Sequence, residues 1–204
     1  MSTFRTPNFR GFKATILHRH DDNIRRLERH LDRLGVESTV NWPDLRIDDT
    51  LPDVIFFDGD NGYDGIFPWT KGSPPVPLIA LISSEAPGRL EWMLSQETSA
   101  HLIKPIQSSG VFSTLVIACA NYEKRQEQLI QIDTLEKRIS SRPVVFRALL
   151  LIMECGHLQD EAAFAILRSA AMNNRQSIED FASTLSHSQA VSLINDFSAD
   201  KGMA

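Results

Sequence analysis

The chain has 204 residues, 42% apolar and 23% charged, and a formal net charge of −5 from 21 Lys and Arg against 26 Asp and Glu. These values fit a soluble globular protein of one or two domains. No run approaches ~18 consecutive apolar residues, which excludes a membrane span, and the acidic balance argues against a nucleic-acid binder driven by charge alone.

In chain order, Lys13–His18 is a short apolar run and predicts a buried strand. Ile24, Leu27, Leu31 and Leu34 follow at spacings of 3, 4 and 3, one face of a helix, and Gly35 is placed to stop it. Val36–Val40 predicts a second strand. Pro52–Asp58 predicts a third, apolar on both faces, as a central parallel strand is. A long loop, 59–77, carries Gly62, Gly65, Pro68, Gly72 and Pro74-Pro75. Val76–Ile82 and His101–Ile103 predict strands four and five, with a helix over Arg89–Gln96 between them. Alternation of this kind predicts an α/β fold, a doubly wound five-stranded parallel sheet, over a first domain of residues 1–118.

The pattern then changes. From Ser109 to Ser140 there is no Pro and the one Gly is Gly110. Leu115, Tyr122 and Leu129 recur every seven residues, with Ala118, Ile132 and Ile139 on the matching second series; Arg125 interrupts that series and Glu136 takes the next place in the first. A coiled-coil linker over 119–140 is expected, joining two copies through Tyr122, Leu129, Ile132 and Ile139; the alternative is one long helix packed on its own domain. Ser140-Ser141-Arg142-Pro143 is expected to break the helix, with Ser141 as N-cap and Pro143 in a new first turn. Val144–Met153, Gln159–Asn173 and Ser177–Leu185 then predict a small three-helix domain within 141–204, Ser177 capping the last with Asp180 three residues on. Ser186–Ala204 reads as a weak helix with a frayed end.

Chemistry-bearing patterns are few. No glycine-rich phosphate loop, Gly-x-Ser-x-Gly or His-Glu-x-x-His occurs, so no catalytic residue is assigned, no cofactor is expected and the chain is not read as an enzyme. His18 and His20 fall on one face of an extended segment beside Asp21 and Asp22, but without a third spaced ligand they read as solvated loop and no metal is expected. Cys119 and Cys155 match no zinc or redox spacing and Met1–Lys13 has no apolar signal core, so a reducing, cytoplasmic setting is the simplest expectation.

Sites in doubly wound sheets form at the carboxyl ends of the strands. Asp58 ends the third strand and Lys104-Pro105 follows the fifth. Over about residues 12–120 this resembles the receiver domain of bacterial response regulators. The resemblance implies that Asp58 is the phosphoacceptor-equivalent position and Lys104 its contact, with an acid pair after the first strand to hold Mg²⁺. Here His18 and Arg19 stand after that strand; Asp21 and Asp22 come where a helix begins and suit its cap. Ile82 aligns with the usual hydroxyl, next to Ser83, and His101 with the usual aromatic. The expectation is a pseudo-receiver that is not phosphorylated, with Asp58 paired to Lys104.

The stretch Ala163-Phe164-Ala-Ile-Leu167-Arg168-Ser-Ala-Ala171-Met172 resembles the ANTAR module, an RNA-binding three-helix unit of transcription antitermination regulators, and fills each fixed position of its pattern. Met153 stands nineteen residues before Met172, where a second element of the pattern falls. Together with a pseudo-receiver and coiled coil, this is the layout of AmiR-like response regulators, and the likeness covers about 180 of the 204 residues. It implies a homodimer that binds paired stem-loops in leader mRNA so that polymerase reads through a terminator, under a ligand-sensing regulatory protein, with no membrane role. Ala163, Phe164, Leu167, Ala171 and Met172 read as motif core. Arg168 reads as an edge residue that meets phosphate or stacks on a base, and Arg142, Arg147, Asn173, Asn174 and Arg175 are the other RNA-binding candidates. Three positions depart from the pattern: Leu149 stands for a lysine, Ala162 for an acid, and Cys155-Gly156-His157 for a differently ordered turn. From 141 to 204 there are five Lys and Arg against seven acids, so binding has to be local and shape-specific. Two other readings stand beside this one. In the first, phosphorylation controls a two-component regulator whose helical tail dimerises or docks a protein. In the second, a degenerate module binds protein alone.

Overall fold

The computed structural model describes residues 7–45 and 50–201. The chain forms two compact units, Met1–Glu127 and Gln128–Ala204. The first six residues of the polar N-terminal stretch and the extreme C-terminus, where fraying is expected, lie outside the described residues.

In the first unit, β1 (Lys13–Leu17), β2 (Glu37–Asn41), β3 (Val54–Asp58), β4 (Leu78–Ile82) and β5 (Ala100–Ile103) form one sheet in the order β2-β1-β3-β4-β5. Every pairing is parallel. β3 and β4 are buried at all positions, which is why their sequences, VIFFD and LIALI, are apolar throughout except for Asp58 at the end of β3. β2 starts one residue later than expected, leaving Val36 buried ahead of it.

Two helices cover one face of the sheet. α1 (Asp22–Arg33) lays Ile24, Leu27 and Leu31 onto β1 and β3, and Gly35 leaves the helix end at φ +75°, the left-handed turn that suits glycine. α3 begins at Val111 and adds Val111, Leu115 and Ala118 to the same cluster. The other face has one helix, α2 (Pro87–Ser95); the 59–77 loop covers the rest. Its Gly and Pro content forbids a helix, but Ile66 and Phe67 are buried, and Phe67 meets Phe57 edge-on at 5.3 Å and stacks on Trp69 at 4.8 Å.

The expected break at Ser140–Pro143 is absent. α3 runs unbroken from Val111 to Gly156, 46 residues with Pro143 inside. Pro143 lacks only the N–H that Ile139 would accept, and the segment is exposed, so water can serve that carbonyl. Ser141 is not an N-cap: its hydroxyl donates back to the Arg138 carbonyl at 2.9 Å, as that of Ser140 does to Lys137.

The second unit packs the end of α3 with α4 (Asp160–Asn173), α5 (Ile178–Thr184) and α6 (His187–Lys201). Ala148, Ile152, Ala163, Ile166, Leu167, Ala170, Ala171, Phe181, Ala182 and Ala190 form its core. Six alanines in that set let the helices approach closely, so little apolar bulk is needed to fill it. Ser177 caps α5, accepting from the Asp180 N–H at 3.0 Å and donating to its carboxylate at 2.7 Å.

Candidate nucleic-acid interface and the Asp58 pocket

The strand order reverses between β1 and β3, which puts a crevice at their carboxyl ends. Asp58 closes β3 there, 2% exposed, and His18 follows β1, 4% exposed. Lys104, just past β5, joins them. Its Nζ lies 2.7 Å from Asp60 Oδ2, 3.3 Å from Asp58 Oδ1 and 3.2 Å from His18 Nε2, so each of its three protons has an acceptor. His18 Nδ1 sits 2.6 Å from the Arg19 carbonyl, which can only accept. Nδ1 therefore donates to that carbonyl, and Nε2 faces Lys104 and lies 3.7 Å from Asp58 Oδ2. Asp58 also accepts from the Asp60 N–H at 3.1 Å and from Asn61 Nδ2 at 2.7 Å.

Two expectations are corrected here. His18 is not a solvated loop residue, and it does not share a face with His20, which is exposed and pairs with Glu28 at 3.5 Å. The chain turns inward after β1, so strand alternation no longer holds. Asp60 is the residue that the sequence reading missed. Both its oxygens accept from the Ser83 N–H, at 2.8 and 2.9 Å, and its pairing with Lys104 fixes the crevice. Burial pushes the Asp60 carboxyl up, but Lys104 and Ser83 outweigh it and hold it below the ordinary value. The Asp58-Gly-Asp60 spacing beside a lysine was the available signal.

Asp21 caps α1 through the Ile24 N–H at 2.9 Å, and Asp22 pairs outward with Arg25. The crevice thus offers two carboxylates already taken up by a resident ammonium, with an imidazole where a receiver keeps acids. This donor set does not suit Mg²⁺, a hard cation that needs free carboxylate oxygens. Among the described residues no group of three or more His, Cys, Asp or Glu could hold a metal ion.

On α4, Ala163, Leu167 and Ala171 are buried, but Phe164 is 42% and Met172 67% exposed. Phe164 and Met172 are therefore not core, contrary to the expectation. The buried arc of α4 is 163, 166, 167, 170 and 171, and alanines fill it closely; position 164 lies just beyond its edge and 172 opposite. Phe164, Arg168 and Met172 instead share an outward stripe with Glu161, Ala165, Ser169 and Asn173 around a surface hollow of about 320 Å³. At its end the chain turns through Asn174, whose amide donates to the Ala170 carbonyl at 2.8 Å, and Arg175, held at φ +54°. Asn173, Asn174 and Arg175 are exposed, as are Arg142 and Arg147 on α3. Leu149, in the place of the pattern's lysine, packs against the core of this unit.

Of the four residues expected to join two copies, Tyr122 is spent within its own unit. It is half-buried and its hydroxyl donates to the Pro75 carbonyl at 2.6 Å, anchoring α3 to the loop. Arg125 likewise pairs with Glu97 and donates to the Gly72 carbonyl at 3.1 Å. Leu129, Ile132 and Ile139 are exposed, and so are Ile130 and Leu135. Among the described residues no helix is long and apolar enough to cross a membrane.

The family description "AmiR, N-terminal" matches residues 12–119, and "ANTAR domain" matches residues 133–185. No curated protein matches the chain. Similar solved structures include a yeast Spc42 trimeric coiled-coil fusion, at 15% identity, covering 66% of this chain and 95% of that one, with a TM-score of 0.45. The response regulator StyR is 16% identical over 91% of this chain and 100% of its own, with a TM-score of 0.43. Full-length FixJ from B. japonicum is 14% identical over 96% and 99%, with a TM-score of 0.41. With one family spanning the sheet unit and the other the helical tail, the chain belongs to the AmiR-like antitermination regulators that carry an ANTAR domain.

Proposed function

We propose that this chain binds stem-loop leader mRNA as a homodimer through α4 of its C-terminal unit, and that a partner protein rather than phosphorylation controls it. The observation that carries the reading is the exposure of Phe164, Arg168 and Met172 on one stripe. An exposed aromatic beside an exposed guanidinium suits unstacked loop bases, which take ~1–3 kcal/mol each from an aromatic face. Asn173 and Arg175 extend the stripe with donors for base edges and phosphate. The five cations of residues 141–204 are too few for general affinity, so recognition is by loop shape, and a dimer doubles it. The dimer contact is the exposed apolar stripe of α3, Leu129, Ile132, Leu135 and Ile139.

Control by something other than phosphorylation is supported by the Asp58 crevice, where Lys104, Asn61 and the Asp60 N–H already take up the carboxylate oxygens. The reading is tested by gel shift against paired stem-loops from the organism's own leader RNA. Arg168→Ala is expected to weaken binding at least about tenfold, the equivalent of ~1.4 kcal/mol. Binding equal to wild type in Arg168→Ala contradicts it.

A further inference from the structure

The acidic balance of the chain conceals a basic stripe. Ile24, Leu27 and Leu31 turn one side of α1 into the core, and Arg25, Arg26, Arg29 and Arg33 are exposed on the opposite side. Arg25, Arg29 and Arg33 succeed one another at about 6 Å along the axis, four residues at 1.5 Å each. Asp22 shares the stripe and pairs with Arg25 at 2.5 Å; Glu28, on the flank, pairs with His20, and Asp32 lies on that same flank. Arg29 donates to the Arg25 carbonyl at 3.2 Å. Among the described residues none of Arg26, Arg29 and Arg33 has an ion-pair partner. A surface hollow of about 640 Å³ runs along Asp22, Arg25, Arg26, Glu28 and Arg29. Burial, then Arg33 and Arg29, holds the neighbouring His30 below the ordinary histidine value.

We propose that this α1 stripe is a second nucleic-acid contact that takes the phosphates of single-stranded leader RNA, an inference that rests on the RNA-binding reading above. Two observations favour a phosphate strand over an acidic protein. No large apolar side chain is exposed on α1, so a protein partner would find no anchor to desolvate, whereas protein interfaces draw their energy from such anchors. The cations are all arginine and recur at a regular interval, which suits a chain of evenly repeated phosphates; guanidinium binds phosphate in a bidentate fork. The stripe also adds to the five cations that residues 141–204 supply.

The test uses the full chain and a hairpin-free uridine oligonucleotide of about 20 residues, titrated by fluorescence anisotropy from roughly 50 to 300 mM salt. The triple variant Arg26→Gln, Arg29→Gln, Arg33→Gln is expected to weaken binding and to flatten the plot of log affinity against log salt by about 2, three single-strand phosphates at ~0.7 each. The corresponding triple lysine variant should keep most of the slope. Equal affinity and slope in wild type and the Gln variant overturn the inference, even where Arg168→Ala abolishes stem-loop binding and so leaves the α4 reading intact. Failure of the wild type to bind stem-loops overturns the α4 reading instead, and the uridine titration still reports on α1. Displacement of the oligonucleotide by polyglutamate as effectively as by polyuridine, at equal charge, also overturns it, in favour of an acidic protein.

Discussion

Lys104 is the residue whose loss should be felt most. It is the cation facing Asp58 and Asp60, and Asp58 has a side chain only 3% exposed. Lys104→Met fits the volume but strands two carboxylates, and breaking a buried pair in this way costs about 3 kcal/mol. Thermal or urea unfolding of Lys104→Met checks this, and adding Asp58→Asn and Asp60→Asn should recover part of the loss. A Lys104→Met protein as stable as wild type contradicts the idea that the lysine neutralises the crevice. The partners at this scale were only partly legible. Asp58 and Lys104 stand out because strand ends in a parallel sheet mark a site. His18 and Asp60 did not, because whether a loop residue turns inward depends on a chain path that local periodicity does not encode. Phe164 and Met172 failed as core for a similar reason: three alanines of α4, Ala163, Ala170 and Ala171, seal the helix contacts, which leaves the larger side chains outside.

At the scale of elements, the strands were legible from their apolar runs, and α1 from its spacing and its Gly35 stop. α3 was not, because Pro143 with two preceding serines reads as a boundary by every local rule. A helix held by packing at both ends tolerates one missing hydrogen bond on a wet surface. That continuity carries the exposed residues Leu129, Ile132, Leu135 and Ile139 along a single helix. Leu135 was absent from the sequence-based series, while Tyr122, which was present, serves its own unit. Charged residues at such a seam cannot be buried without cost, so wild type should be dimeric at micromolar concentration by sedimentation velocity and the double variant Leu135→Glu, Ile139→Glu monomeric. A wild-type monomer, or a variant that stays dimeric, contradicts the assignment.

Over the whole molecule, the net charge of −5 disfavours general nucleic-acid binding but does not describe where the charges lie. Four arginines lie on α1, Arg168 lies in the α4 stripe and Arg175 follows the end of that helix. Chemistry at Asp58 is expected to be silent. Acetyl phosphate with Mg²⁺ should give no phosphoadduct by intact mass, because Lys104 and Asn61 occupy the oxygens that phosphoryl transfer and the metal would need. A stoichiometric adduct on Asp58 would restore control by phosphorylation.

Transcription of the organism's own leader by purified RNA polymerase, with terminated and full-length transcripts counted in a single round, tests RNA recognition through α4 most directly. Wild-type protein should raise the readthrough fraction, and Phe164→Ala and Arg168→Ala, both at exposed positions and expected to fold normally, should each lose most of that gain. Readthrough that does not respond to the protein, or that responds equally to wild type and both variants, would contradict it.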